Sequence, residues 1–102
     1  MTEATLALSD IPDGRCRLLR IGTHEVAVFH VNGHVHALAD SCPHAGASLA
    51  GGKVDGTTVQ CRAHGLRFHL ATGHMVGNPA LAVKCYPATV SGGMVTVAAP
   101  DD

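Results

Sequence analysis

Two short segments hold the residues with the most chemistry to offer. Cys42-Pro43-His44 and Cys61-Arg62-Ala63-His64 each present one thiolate and one imidazole, and residues 45–60 separate them. Four soft or borderline donors in two loops fit two metal readings. One is tetrahedral zinc with a Cys₂His₂ set. The other is a two-iron, two-sulfide cluster in which two His replace two Cys on one iron. Zinc fingers usually group Cys with Cys and His with His. Here the types are mixed, as C-x-H and C-x₂-H. A binuclear cluster accounts for the mixing if each loop sends its Cys to one iron and its His to the other.

The elements that must position these loops are short strands. Turn signals interrupt the apolar stretches at 11–14, 21–23, 32–33, 55–56, 72–73 and 92–93. The runs between them are rich in Val, Thr and Ile. Strands are predicted at 15–21, 25–31, 34–39, 57–61, 67–70, 83–86, 88–91 and 94–98. Asn32-Gly33 lies between two of these runs and is a strong hairpin signal, because a type I′ turn needs positive φ at both central residues. In such a hairpin Val31 faces His34 and Phe29 faces His36. No window of a dozen residues carries a helical apolar stripe free of Gly and Pro. The pattern predicts an all-β fold, a small antiparallel sandwich or barrel. Three stretches break the strand rhythm. The first loop is residues 41–52 (SCPHAGASLAGG), the second is 62–65, and a third, 77–80, contains Pro79.

Composition excludes several classes. The 102 residues suit one domain. Hydrophobic residues make up 46 % and charged residues 15 %, which rules out a disordered chain. A net charge of −1 leaves no overall basic footprint for nucleic acid or acidic membranes. With aromatics at 3 % and no Trp, broad stacking platforms are absent. The first residues, MTEATLAL, lack a basic signal-peptide region, and no run approaches the ~18 apolar residues of a membrane span. The expected location is the cytoplasm. There, four Cys point to metal ligands or buried thiols over disulfides.

CPHAG followed by CRAHG resembles the Rieske cluster-binding pattern, C-x-H-x-G then C-P-x-H-G. Residues 31–80 follow that family's order of hairpin, first loop, turn, second loop, strand and proline loop. YPATVSGGMVTV resembles its closing hairpin. The resemblance implies a Rieske-type fold over 1–102, with a cluster-binding subdomain at about 40–80 inserted into it. It implies one [2Fe–2S] cluster, with Cys42 and Cys61 on the buried iron and His44 and His64 on the outer iron. Gly46 and Gly65 would allow close backbone approach, Pro79 would help cover the cluster, and Ala45 and Leu66 would rim a docking surface.

The second loop has Arg62 where the family usually has Pro, and His69 stands where many relatives carry an acid. High-potential relatives join the two loops by a disulfide. The matching positions here are Ala47 and Ala63. Leu66 stands where those relatives place a hydroxyl. With fewer donors near the sulfides, the expected potential lies near roughly −150 mV.

The implied function is a Rieske ferredoxin. It would shuttle single electrons from an NAD(P)H-dependent flavoprotein reductase to a terminal Rieske non-haem iron oxygenase of an aromatic-ring dioxygenase system. The chain is too short to hold the oxygenase's own mononuclear iron domain, so it is not itself an enzyme. The alternatives are the small Rieske-type subunit of an assimilatory nitrite reductase and, third, a structural zinc domain. Cys16 and Cys85 read as buried small hydrophobes. His30, His34 and His36 read as half-exposed strand residues, and His24, His69 and His74 as surface or second-layer residues.

Overall fold

The computed structural model describes residues 1–41, 48–62 and 65–101. In these residues twelve strands and one 3₁₀ turn, Leu8–Asp10, form the regular structure. The strands are β1 Thr2–Ala7, β2 Arg15–Ile21, β3 His24–Val31, β4 His34–Ala39, β5 Lys53–Asp55 and β6 Thr58–Gln60. They continue with β7 Arg67–His69, β8 His74–Met75, β9 Asn78–Ala82, β10 Cys85–Tyr86, β11 Ala88–Ser91 and β12 Met94–Ala99. They form three antiparallel sheets, ordered β1-β12-β11, β10-β4-β3-β2 and β5-β6-β7-β8-β9. Among the described residues no helix is long and apolar enough to cross a membrane.

The hairpin predicted at Asn32-Gly33 is present, with φ of 51° and 82° at the two turn residues. It sets the register Val31↔His34 and Phe29↔His36. This register makes β3 the shared spine of the molecule. Val26, Ala27, Val28 and Phe29 are all fully buried, so the strand is covered on both faces. Val26 and Val28 pack with Ile11, Ile21, Ala37, Tyr86, Val95, Val97 and Ala99 toward the sheet of β1, β12 and β11. Ala27 and Phe29 pack with Leu38, Leu49, Val59, Cys61, Phe68, Leu70 and Val83 toward the sheet of β5 to β9. Full burial of each Val or Phe contributes about 1.5–3 kcal/mol, so both layers are fastened to one strand.

The sheet of β5 to β9 lies between β4 and β10, two strands that pair directly (Cys85↔Leu38, Tyr86↔Ala37). The Ala39 N–H donates to the Lys84 carbonyl at 2.8 Å and closes the base of the excursion. The segment between is therefore an insertion into a complete β-scaffold.

The structure corrects four sequence expectations. Pro79 lies in β9, not in a loop; β9 is the edge of its sheet, where a missing N–H breaks no ladder. Cys85 is exposed on the edge strand β10, while its neighbour Tyr86 is buried. The strand expected at 83–86 is only Cys85–Tyr86. β1, β5 and β8 were not anticipated. β1 pairs with β12 from the far end of the chain, in the register Thr2↔Ala99 to Ala7↔Met94.

Candidate metal centre

The second loop closes the β6–β7 hairpin. The Cys61 N–H donates to the Leu66 carbonyl at 2.7 Å, and the Gly65 N–H donates to the Cys61 carbonyl at 2.9 Å. These two bonds tie the two ends of the second loop to each other. Gly65 has φ +68°, the left-handed region in which a side chain is strained. The Gln60 amide donates to the Gly65 carbonyl at 3.2 Å and braces the turn from β6. Cys61 is 1 % exposed and belongs to the core beneath the inserted sheet. Its thiol is thus rooted in apolar packing, as an inner ligand would be.

The stems of the first loop are joined by Asp40. Its carboxylate accepts the Ser48 hydroxyl at 2.8 Å and the Ala50 N–H at 2.8 Å. The Cys16 thiol donates to the Ala50 carbonyl at 2.9 Å. Burial, and then the charge of Asp40, push the Cys16 thiol above its ordinary pKa. Cys16 therefore stays protonated near neutral pH and braces the loop as a donor.

The exit of the first loop touches the entry of the second. A Cβ on Gly51 would stand 3.2 Å from Arg62 Cδ and Nη1. A Cβ on Gly52 would stand 2.4 Å from the Gln60 carbonyl oxygen and 3.0 Å from that of Leu49. Only glycine allows this approach, and the approach is what brings the two loops together. A depression of about 250 Å³ lined by Lys53, Gln60, Cys61, Arg62 and Gly65 opens beside them.

Of the site residues expected from sequence, Cys61, Gly65, Leu66 and Pro79 lie within the described residues. Cys42, His44, Ala45, Gly46 and His64 lie outside the described residues, as do Ala47 and Ala63. Leu66 is half-buried and packs against the core that holds Cys61, so only part of it is open to a partner. Pro79 is exposed, and its carbonyl is 3.0 Å from Nδ1 of His74. His34 and His36 share one face of their strand, and His30 lies on the other, with Nδ1 2.6 Å from the Ile11 carbonyl. Among the described residues no three His, Cys, Asp or Glu side chains converge on a possible metal position. Sequence reasoning passed over Asp40 and Gly52. The Gly51-Gly52 pair was a visible signal; nothing in the local pattern marked Asp40.

Residues 3–87 match the family model described as the Rieske [2Fe-2S] domain. The chain belongs to the Rieske [2Fe–2S] family. It is 37 % identical over 97 residues to the 3-phenylpropionate/cinnamic acid dioxygenase ferredoxin subunit of Escherichia coli strain K12, covering 92 % of this chain and 90 % of that protein. Its fold is similar to the ferredoxin of carbazole 1,9a-dioxygenase from Nocardioides aromaticivorans IC177, with a TM-score of 0.88 and 27 % identity over 96 % of this chain and 98 % of that one. It is also similar to a chain from Mycobacterium tuberculosis described as an NADH-dependent nitrite reductase small subunit. There the TM-score is 0.89 and the identity 28 %, over 98 % of this chain and 96 % of that one. Membership of this Rieske family decides between the two metal readings in favour of a [2Fe–2S] cluster. The residues present suit it: a thiol rooted in the core, a left-handed glycine closing its loop, and a second loop held alongside by Gly52.

Proposed function

We propose that this Rieske protein is a one-electron carrier, a ferredoxin component serving a terminal ring-hydroxylating oxygenase. The supporting observation is the whole-length similarity to a dioxygenase ferredoxin subunit, which spans both the scaffold and the inserted sheet. In this reading Cys42 and Cys61 hold the inner iron, and His44 and His64 hold the outer iron. The cluster, when bound, takes up and releases one electron without activating a substrate. The chain's own residues root and shield it. The core around Cys61 excludes water from one side, the bonds of Cys61 to Gly65 and Leu66 fix its backbone, and Asp40 joins the stems of the first loop. A flavoprotein reductase using NAD(P)H would be the donor, and the cytoplasm is the matching location.

The direct test is replacement. The 3-phenylpropionate dioxygenase system, deprived of its own ferredoxin, should regain NADH-dependent product formation when this chain is added. Absence of turnover, together with a stable large subunit that co-purifies with the chain, points to the nitrite reductase reading, which the Mycobacterium similarity favours. The potential should lie near roughly −150 mV, since Leu66 supplies no hydroxyl and Ala47 and Ala63 no disulfide. A clearly positive value near neutral pH would refute the low-potential assignment.

A further inference from the structure

The inserted segment and the scaffold carry opposite charge. Residues 41–83 hold three cations, Lys53, Arg62 and Arg67, against one acid, Asp55. The rest of the chain holds four cations against seven acids, so the net charge of −1 hides a positive region around the second loop.

The register shows how that region is built. Lys53 pairs with Gln60, and Gln60 pairs with Arg67. Paired residues share a face, so these three form one row across β5, β6 and β7 on the outer side. Val54, Val59 and Phe68 form the row that faces the core. Strands lie about 4.8 Å apart, which places the backbones of Lys53 and Arg67 roughly 10 Å from each other. The row is tied to the second loop by the bond from Gln60 to the Gly65 carbonyl. Arg62 stands on that loop, over Gly51. Arg15 lies beyond it, lining a depression of about 450 Å³ together with Lys53 and the backbone from Ala50 to Val54.

Arg15, Lys53, Arg62 and Arg67 are all exposed. None of them forms an ion pair among the described residues. Two nearby acids offset the cations only in part: Asp40, which accepts from Ser48 and Ala50, and Asp55, in the neighbouring row opposite Thr58 and His69. Four unpaired cations within about one or two Debye lengths act together on an approaching protein.

We propose that this face, Lys53, Arg62 and Arg67 with Arg15 at its margin, is a docking surface for a carboxylate-rich face of the protein that accepts the electron. The proposal rests on the carrier reading and adds the chemistry of the partner. Unpaired cations beside the second loop raise the encounter rate with an acidic surface and orient it. They leave dissociation fast, because exposed pairs contribute little once formed. That combination suits a shuttle.

Two probes test it. In the first, the dithionite-reduced protein is mixed with hexacyanoferrate(III) or with tris(phenanthroline)cobalt(III) at varied ionic strength. One electron leaves the protein and reduces the metal complex in each case. The anionic oxidant should slow with added salt and the cationic one should not, opposite to what the net charge requires. Lys53→Glu with Arg62→Glu should lower the anionic rate by roughly ten-fold at low salt and reverse its salt dependence. Arg17→Gln, which lines neither depression, should change neither.

In the second, the anisotropy of a fluorescein-labelled glutamate decamer should rise on adding the protein, reverse with salt, and be abolished by the double substitution. A reducible protein whose anionic oxidation is salt-independent, or quickens with salt, overturns the docking surface and leaves the carrier reading standing. Decamer binding unaffected by the double substitution overturns it as well. A protein that takes up no electron overturns both.

Discussion

The two layers that share β3 are held together by different means. The scaffold layer, outside β3, is made largely of long strands: β1, β2, β4 and β12 run six or seven residues. Its core is aliphatic apart from Tyr86. The inserted sheet is made of strands of two to five residues. It compensates with larger side chains and closer contacts. Both phenylalanines of the chain, Phe29 and Phe68, lie in its core beside Cys61. Its loops are joined by a backbone contact at Gly52 and by the Asp40 carboxylate. Regular strands tolerate small losses, because their ladders and burial are distributed. A layer whose shape depends on single contacts does not. The site is therefore built where the fold is most sensitive to single residues, on a scaffold that absorbs change.

That contrast can be broken by exchanging defects between the layers. The largest effect is expected from Gly52→Ala. The added Cβ meets the Gln60 carbonyl, a backbone atom that cannot step aside, so the loops must separate. Most of the visible cluster absorption should be lost, while the far-ultraviolet circular dichroism of the scaffold persists. Retention of full absorption would remove the argument for close approach.

Val28→Ala is the converse defect, in the scaffold core. It should lower stability by about 2 kcal/mol and the melting temperature by on the order of 10 °C. Iron content per folded chain should stay the same. Loss of iron in this variant would show that the layers are not separable.

Asp40→Ala sharpens the comparison at the joint between them. Losing hydrogen bonds to a charged acceptor costs roughly 1.5–3 kcal/mol where they are formed. The expected readout is faster loss of cluster on dilution into chelator, with Asp40→Asn intermediate.

The smallest effect concerns His36, on the face of β4 turned to the inserted layer. Burial, and then the charge of His34, hold its pKa below the usual imidazole value. The folded state then binds fewer protons than the unfolded chain, so stability is present above the unfolded pKa of about 6.5 and declines as pH falls below it. His36→Gln should flatten the slope of melting temperature against pH between about 7 and 5. An unchanged slope places the acid sensitivity elsewhere.

Much of this was legible in the chain, for local reasons. Asn32-Gly33 specified its turn, and the turn specified the register of Phe29 with His36. The bounds of β2 followed from turns on either side, and β4 and β11 each abut a turn at one end. The family was legible because donor type and spacing are sequence properties. What escaped was non-local. β1, reading TEATLA, alternates weakly and becomes a strand only because β12 returns beside it. Pro79 looked like a loop because its place at a sheet edge depends on the order of five strands. Cys85 looked like a core residue because its strand is too short to reveal which face it presents. Gly52 and Asp40 act across gaps in sequence, and the cationic row exists only once β5, β6 and β7 are in register.

The central claim is a one-electron centre held by two thiolates and two imidazoles in these loops. It is tested most directly by electron paramagnetic resonance of dithionite-reduced protein carrying ¹⁵N-labelled histidine, with nuclear double resonance to count the nitrogens. The account requires one spin per chain coupled to two histidine nitrogens, both lost when His44 and His64 are replaced together. One spin without nitrogen coupling, or a silent protein carrying zinc, would contradict it.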